Sequence, residues 1–249
     1  MTFAPAHIIR LDEVLSTNDY LEEVLTQRQL PEGSLVVAQN QTRGKGQENN
    51  HWESEAGQNL TFSMVLYPDF IPAEEQFMLT QIASISICHV LDSLQLPEPV
   101  MIKWPNDIYL GNRKVAGMLI KNNISGNTIG QTICGIGLNV NQAVFSDQAP
   151  IAVSLAMATG KKYNLEELLS MWHLEFSYTY DTIKKGKYAA INRTYLSRLY
   201  LLNIPSRFII HGEKLYATIT GIGKYGMLEL TAVDGRKFIC GLKEVVFER

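Results

Sequence analysis

Lys103-Trp104-Pro105-Asn106-Asp107, followed beyond one apolar run and a Gly111-Asn112 turn by Lys114-Val115-Ala116-Gly117, is the stretch on which the reading of this chain turns. Two lysines, an amide, a carboxylate and an indole lie between strand-like runs at 100–102, 108–110 and 118–120. Pro105 removes a backbone donor and biases Trp104 towards extended backbone, which disfavours a helix there. The turn at Gly111-Asn112 then folds Lys114 back beside Asn106 and Asp107. A core-building hairpin needs no such inventory. Cations beside a carboxylate suit a reaction in which anionic phosphate is neutralised and positioned. A surface hairpin with solvated charges is the plainer reading of the string taken alone.

On the N-terminal side, residues 7–11 read as a strand. Ser16 or Thr17 is the expected N-cap of a helix, with Asp19 in its first turn and Leu21, Val24 and Leu25 at helical spacing. Residues 35–38 form a short apolar strand. From 39 to 59 little is left to bury except Trp52, and a polar loop of that length in a compact domain is usually functional. Residues 60–66 return to strand, and 77–94 are apolar around much of a helical surface, as in a core helix. Beyond the hairpin, 128–140 alternate as a strand and end in Gly135-Ile136-Gly137-Leu138-Asn139. Residues 165–184 and 188–199 read as amphipathic helices. Past Pro205, short strands at 207–210, 215–222, 227–230, 237–239 and 245–247 are separated by Gly212, Gly223, Gly226 and Gly235, the pattern of a small antiparallel barrel.

A chain of 249 residues can bury a sizeable core, in one large domain with or without a small companion. The net charge of −3 gives no global attraction to nucleic acid or to an anionic membrane, and no apolar run is long enough to span a bilayer. The N-terminus lacks a basic segment followed by a hydrophobic one. Cys88, Cys134 and Cys240 are odd in number and far apart, which fits reduced thiols of a cytoplasmic protein. His7, His51, His89, His173 and His211 have no ligand spacing, so no protein-bound metal is expected.

Several other strings stand out. Ser16-Thr17-Asn18 gathers hydroxyls and an amide at a helix start, beside free backbone N–H groups. Gly44-Lys45-Gly46 lies in the polar loop, where paired glycines let backbone N–H groups approach a phosphate and the lysine adds charge. Trp52 supplies an apolar lid or stacking face. The glycines of 135–139 admit a planar base, and Asn139 can serve adenine or a phosphate. A third glycine and a following helix are missing, so a dinucleotide-binding reading is rejected.

Together with Gln41 and residues 223–226, these strings occur in the order found in the biotin protein ligases (biotin–[acetyl-CoA-carboxylase] ligases), and the chain closely resembles that family over nearly its whole length. The resemblance implies an α+β fold. Residues 1–203 are expected to form a mixed β-sheet with helices on its faces, like a class II synthetase catalytic domain, and 204–249 a small SH3-like β-barrel. It implies two steps: biotin and MgATP give biotinyl-5′-AMP and pyrophosphate, then the biotinyl group passes to a lysine of a biotin carboxyl carrier protein. Mg²⁺ is expected to arrive with ATP and not on protein ligands.

Carried over residue by residue, the resemblance makes Lys114, Lys103 and Asp107 the candidate catalytic residues. Lys114 is ranked first, between carboxylate and α-phosphate, with Lys103 a second cation. Biotin falls to Ser16, Thr17, Asn18, Gln41, Lys45, Gly46, Gln47, Trp52, Lys114 and Gly117, with the Ser16-Thr17-Asn18 triplet on the ureido ring, which needs both donors and acceptors. ATP falls to Gly44, Lys45, Asn106, Lys114, Gly137 and Asn139.

The chain departs from the family pattern in two places. The family's glycine loop is typically rich in arginine, whereas here it reads Gly44-Lys45-Gly46-Gln47-Glu48-Asn49-Asn50. A lysine cannot make arginine's two-pronged contact, Gln47 is uncharged, and Glu48 is negative, so a looser grip on the adenylate is expected, with Arg43 a candidate substitute. The loop is expected to be mobile without ligand and ordered by biotin or its adenylate. Some family members carry an N-terminal winged-helix module that represses biotin synthesis genes. Here the catalytic pattern begins almost at Met1, and the expectation is a ligase without a nucleic-acid partner. An exposed sheet edge leaves room for a homodimer. A lipoate or octanoyl protein ligase, and a non-catalytic biotin sensor, remain as alternatives.

Overall fold

Strand alternation sends apolar side chains to two faces of one sheet in this computed structural model, which describes residues 7–47 and 50–248. Strands β1 (Ile8–Val14), β2 (Leu35–Gln41), β3 (Leu60–Leu66), β4 (Val100–Lys103), β5 (Asp107–Leu110), β6 (Arg113–Ser125) and β7 (Thr128–Leu138) pair in the order β1-β2-β3-β7-β6-β5-β4. The β1–β2 pair is parallel, bridged by helix α1 (Thr17–Gln27), and the other pairs are antiparallel. The sheet is therefore mixed, as expected.

Leu35, Phe62, Met64, Cys134, Ile136 and Leu138 face the main core. Helices α2 (Phe77–Ser93), α4 (Leu165–Lys184) and α5 (Tyr188–Ser197) pack there, with the short α3 (Leu155–Thr159) at its margin. The side chains next in sequence, Val36, Val65 and Ile133, point the opposite way into a smaller cluster with Leu21 of α1. Along α4, Trp172 meets Phe62 edge-on at 4.7 Å between ring centroids, and Phe176 stacks on Tyr180. Each such side chain contributes roughly 1.5–3 kcal/mol through burial. Cys88 and Cys134 lie unpaired in this core. Burial pushes both thiols up to about 12, which leaves neither reactive at neutral pH.

The structure differs from the sequence reading at several margins. Gln39, Asn40 and Gln41 belong to β2 and not to the polar loop, and β1 continues to Val14. Helix α3 was not foreseen; Ser154 caps it by accepting from Met157 N–H. Ser16 is the N-cap of α1, yet its side chain makes no capping hydrogen bond.

The C-terminal strands β8 (Ser206–Ile210), β9 (Glu213–Ile222), β10 (Leu228–Ala232), β11 (Lys237–Cys240) and β12 (Val245–Phe247) form an antiparallel sheet in the order β11-β10-β9-β8-β12. Phe208, Ile219, Leu228 and Leu230 fill its interior. The hairpin that opened the sequence reading ties the two sheets together. Trp104, joined to Pro105 by a cis peptide bond, donates its indole N–H to Gly226 O at 2.8 Å. Gly226 has φ +79°, and a Cβ there would overlap the Phe77 ring at the start of α2.

Gly226→Ala is therefore expected to lower stability by about 2–4 kcal/mol, combining left-handed backbone with overpacking. Gly212, at φ +84° with open space around it, serves as the control, and Gly212→Ala should cost only about 1–2 kcal/mol. Denaturant midpoints of the two variants check this; equal losses would remove Phe77 from the account.

Candidate active site

On the α1 face, the sheet is stripped of side chains where β6 and β7 pair. Gly117 of β6 pairs with Gly137 of β7, and Gly135 lies opposite Leu119. A Cβ at Gly137 would run into the indole of Trp52, and one at Gly135 into the Asn18 amide. The bare floor makes room above it. Ser16, Thr17, Asn18 and Gln41 stand around a cavity of about 230 Å³, along with Gly46, Gln47, Trp52 and Lys114.

At the start of α1 a polar network holds one wall. Gln41 Oε1 accepts from the Thr17 backbone N–H (2.8 Å) and from Thr17 Oγ1 (3.1 Å). Asn18 Nδ2 donates to Leu119 O at 3.0 Å. Ser63 Oγ donates to Asn18 Oδ1 at 2.6 Å and lies 2.8 Å from Thr17 Oγ1. Ser63 was not singled out from sequence. Its only signal there was a second polar residue, after Thr61 and at the same alternation phase, in a mostly apolar strand.

Lys114 reaches the same face through an irregularity in pairing. Asp107 sits opposite Gly117 and Ile108 opposite Ala116, but Tyr109 sits opposite Lys114, so β6 carries one extra residue at Val115. The bulge turns Lys114 to the side of Asp107 and leaves both Val115 and Ala116 in the core. Lys114 Nζ then lies 2.6 Å from Asp107 Oδ1 and 5.6 Å from the centre of the Trp52 ring. Asn106 Nδ2 donates to Met118 O while Met118 N–H donates to Asn106 O, fixing the turn beside them.

A second cavity, of about 850 Å³, opens on the other side of this pair. Lys103, Asp107, Lys114, Trp52 and His51 border both spaces. The larger one is completed by Asn139, by Phe145 and residues 148–152, and by Leu242, Val245 and Phe247 of the C-terminal sheet. Lys114 N–H donates to Ile151 O, and Val153 N–H to Lys114 O, so the 148–153 segment pairs with the backbone of the lysine itself. Glu53 holds the segment's beginning, accepting from Ser146 N–H at 2.9 Å and from Gln142 Nε2. Apart from Asn139, none of the residues that complete this wall was foreseen; loops carry little local signal for which cavity they close. Among the described residues, Trp52 Nε1 and Asn139 Oδ1 are buried polar atoms without a partner, and both flank these cavities.

Of the residues named from sequence, Ser16, Thr17, Asn18, Gln41, Lys45, Gly46, Gln47, Trp52, Lys103, Asn106, Asp107, Lys114, Gly117 and Gly137 converge on the smaller cavity. Asn139 lines the larger one only. Gly44 borders neither: the Trp52 backbone N–H donates to Gly44 O, and a Cβ on Gly44 would strike the Trp52 carbonyl. Lys45 pairs at 2.6 Å with Asp19 on α1. Arg43 is not among the lining residues; its backbone N–H bonds Leu15 O. Glu48 and Asn49 lie outside the described residues.

The biotin/lipoate A/B protein ligase family matches this chain over residues 11–139. The bifunctional ligase/repressor BirA of Bacillus spizizenii is 31% identical over 238 residues, covering 94% of this chain and 72% of that protein. The biotin–[acetyl-CoA-carboxylase] ligase of Paracoccus denitrificans is 28% identical over 209 residues, covering 82% of this chain and 86% of its own. The structure of the biotin protein ligase from Aquifex aeolicus in complex with biotin and ATP superposes with a TM-score of 0.79 at 26% identity, covering 98% of this chain and 99% of that one.

Ser63→Ala removes a buried hydroxyl and leaves the Thr17 and Asn18 side chains short of a partner. It is expected to cost about 1–2 kcal/mol in denaturant unfolding. A loss well under that would mean that Gln41 and the Asn18–Leu119 hydrogen bond hold the α1 start without Ser63.

Proposed function

The chain belongs to the biotin/lipoate A/B protein ligase family, and from that premise we propose that it is an ATP-dependent biotin protein ligase, activating biotin to biotinyl-5′-AMP and passing it to a lysine of a biotin carboxyl carrier protein. The observation that supports this reading most is the Lys114–Asp107 pair at the junction of two cavities. The smaller cavity has donors and acceptors suited to a ureido ring and an apolar indole above a glycine floor. The larger has the space and the buried amide oxygen of Asn139 for a nucleotide.

In the first step a biotin carboxylate oxygen bonds to the α-phosphorus as the bond to pyrophosphate breaks. Two anions approach, and the Lys114 ammonium lies where both cavities meet, so it offsets their repulsion and the charge that develops between them. Asp107 holds that ammonium in place and Trp52 shields it from bulk water. ATP brings Mg²⁺ as its own counter-ion. In the second step the acceptor amine attacks the acyl carbon and AMP leaves. The carrier's identity as that of an acetyl-CoA carboxylase follows the Paracoccus relative. The five-stranded C-terminal sheet is taken as an SH3-like module closing the nucleotide side, with the domain boundary near residue 203. The free, buried cysteines suit a cytoplasmic setting, and no helix of the described residues is long and apolar enough to cross a membrane.

Biotin-dependent pyrophosphate release from MgATP, with the intact mass of a carrier domain, tests the reading. A gain of one biotinyl group is expected, and lipoate in place of biotin should give none. Lys114→Met should lower the adenylation rate by about 10²–10³-fold while biotin still binds. Binding of biotin without pyrophosphate release by the unaltered chain would favour a sensor instead.

The arginine-poor loop should release adenylate faster than an arginine-bearing one. Gln47 lines the biotin cavity, and Gln47→Arg is expected to slow adenylate dissociation by about tenfold, as one charge-assisted hydrogen bond would. An unchanged off-rate in stopped-flow chase experiments would remove Gln47 as the cause.

A further inference from the structure

We propose that Phe247, the last residue of β12, is a positioning residue for adenylation, holding Lys103 in place from the C-terminal sheet. The inference rests on the ligase reading above. Lys103 ends β4, opposite Asp107 in the β4–β5 register, and borders both cavities. Its ammonium lies 4.4 Å from the centre of the Phe247 ring and 5.9 Å from that of Tyr109. An ammonium over an aromatic face is attracted to the ring quadrupole, and more strongly where water is partly excluded.

The Phe247 ring is itself fixed. It meets the fully buried Phe208 edge-on at 5.2 Å between centroids, and β12 pairs with β8 so that Phe247 faces Phe208 in the register. Trp104, the residue after Lys103, donates to Gly226 O in the turn that joins β9 to β10 of the same C-terminal sheet. Lys103 and Trp104 thus engage the C-terminal sheet at two separate points, one through a cation and one through a hydrogen bond. A long lysine side chain has many rotamers, and a ring at a fixed height reduces them to those that aim the charge at the shared border of the cavities. Phe247 borders only the larger cavity, the nucleotide side in the reading above.

The test compares Phe247→Leu, which keeps apolar bulk and loses the ring face, with Phe247→Tyr, which keeps the face. In biotin-dependent pyrophosphate release, Phe247→Leu is expected to raise KM for ATP by about five- to tenfold, with biotin affinity changed less than about twofold, and Phe247→Tyr to restore the parent value. Thermal midpoints of both variants separate these effects from unfolding. Lys103→Met closes a double-mutant cycle: if Phe247 acts through Lys103, adding Phe247→Leu to Lys103→Met changes nothing further. Additive losses, or equal losses for Leu and Tyr, would overturn the proposal, as would an unaltered KM in Phe247→Leu. Calorimetric affinities of the same variants for a non-hydrolysable ATP analogue give the same comparison without turnover. Absence of pyrophosphate release by the unaltered chain would instead count against the ligase reading.

Discussion

Between Ile108 and Tyr109 the pairing of β5 with β6 slips by one residue, and that slip decides what this face of the sheet can do. In a regular ladder Lys114 would sit opposite Leu110, on the core side, where an ammonium is intolerable. The extra residue turns it to the side of Asp107 and Gly117 and lets Val115 and Ala116 both bury. The adjacent 148–153 segment then pairs with the lysine's backbone from the outer side, so the bulge is held by hydrogen bonds on two sides. A pocket wall and an ammonium at the border of two cavities both follow from one irregularity in register.

The floor beneath that ammonium has a different physical origin. Alternation in β3 and β7 puts Phe62, Met64, Ile136 and Leu138 into the main core, so residues of the opposite phase face α1. Near Leu21 that phase is apolar, with Val65 and Ile133. Farther along it turns to Ser63, Thr61, Gly135 and Gly137, and the sheet surface drops away. A single face therefore changes along its length from core to cavity. Trp52 rests on the glycines because nothing larger fits there.

The C-terminal sheet contributes to this site as well as closing the chain. Two of its contacts fall on the Lys103-Trp104 dipeptide, directly beside Pro105 and the Asn106-Asp107 turn. Its own core of Phe208, Ile219 and Leu230 makes it a stiff support for those contacts. The loop around Lys45 is closed by its own backbone hydrogen bonds and tied to α1 by an ion pair between half-exposed groups, which in water is worth about 0–1 kcal/mol. Lys103 and Trp104 thus rest on a packed core, while Lys45, at the mouth of the smaller cavity, reaches α1 through a solvent-facing ion pair.

Much of this was legible in the residues. Periodicity located β3, α2, α4 and the five C-terminal strands, because burial on one face leaves its period in the sequence. The unusual inventory of the 103–117 hairpin marked the site, and the glycine loop, the helix start and the 135–139 string converge on it. What the residues alone determined, then, was which elements form and which side chains are chemically out of place. Tertiary structure alone decided the bulge that turns Lys114 towards Asp107, the hydrogen bonds that Ser63 and Gln41 make at the start of α1, and the placing of Gly44 against the Trp52 backbone and outside both cavities. It also decided that Glu53, residues 148–152 and Phe247 wall the larger cavity. The physical reason is that period and propensity act over a few neighbouring residues. Register shifts and contacts between distant segments are settled only when competing burial and hydrogen-bond demands are met together in three dimensions.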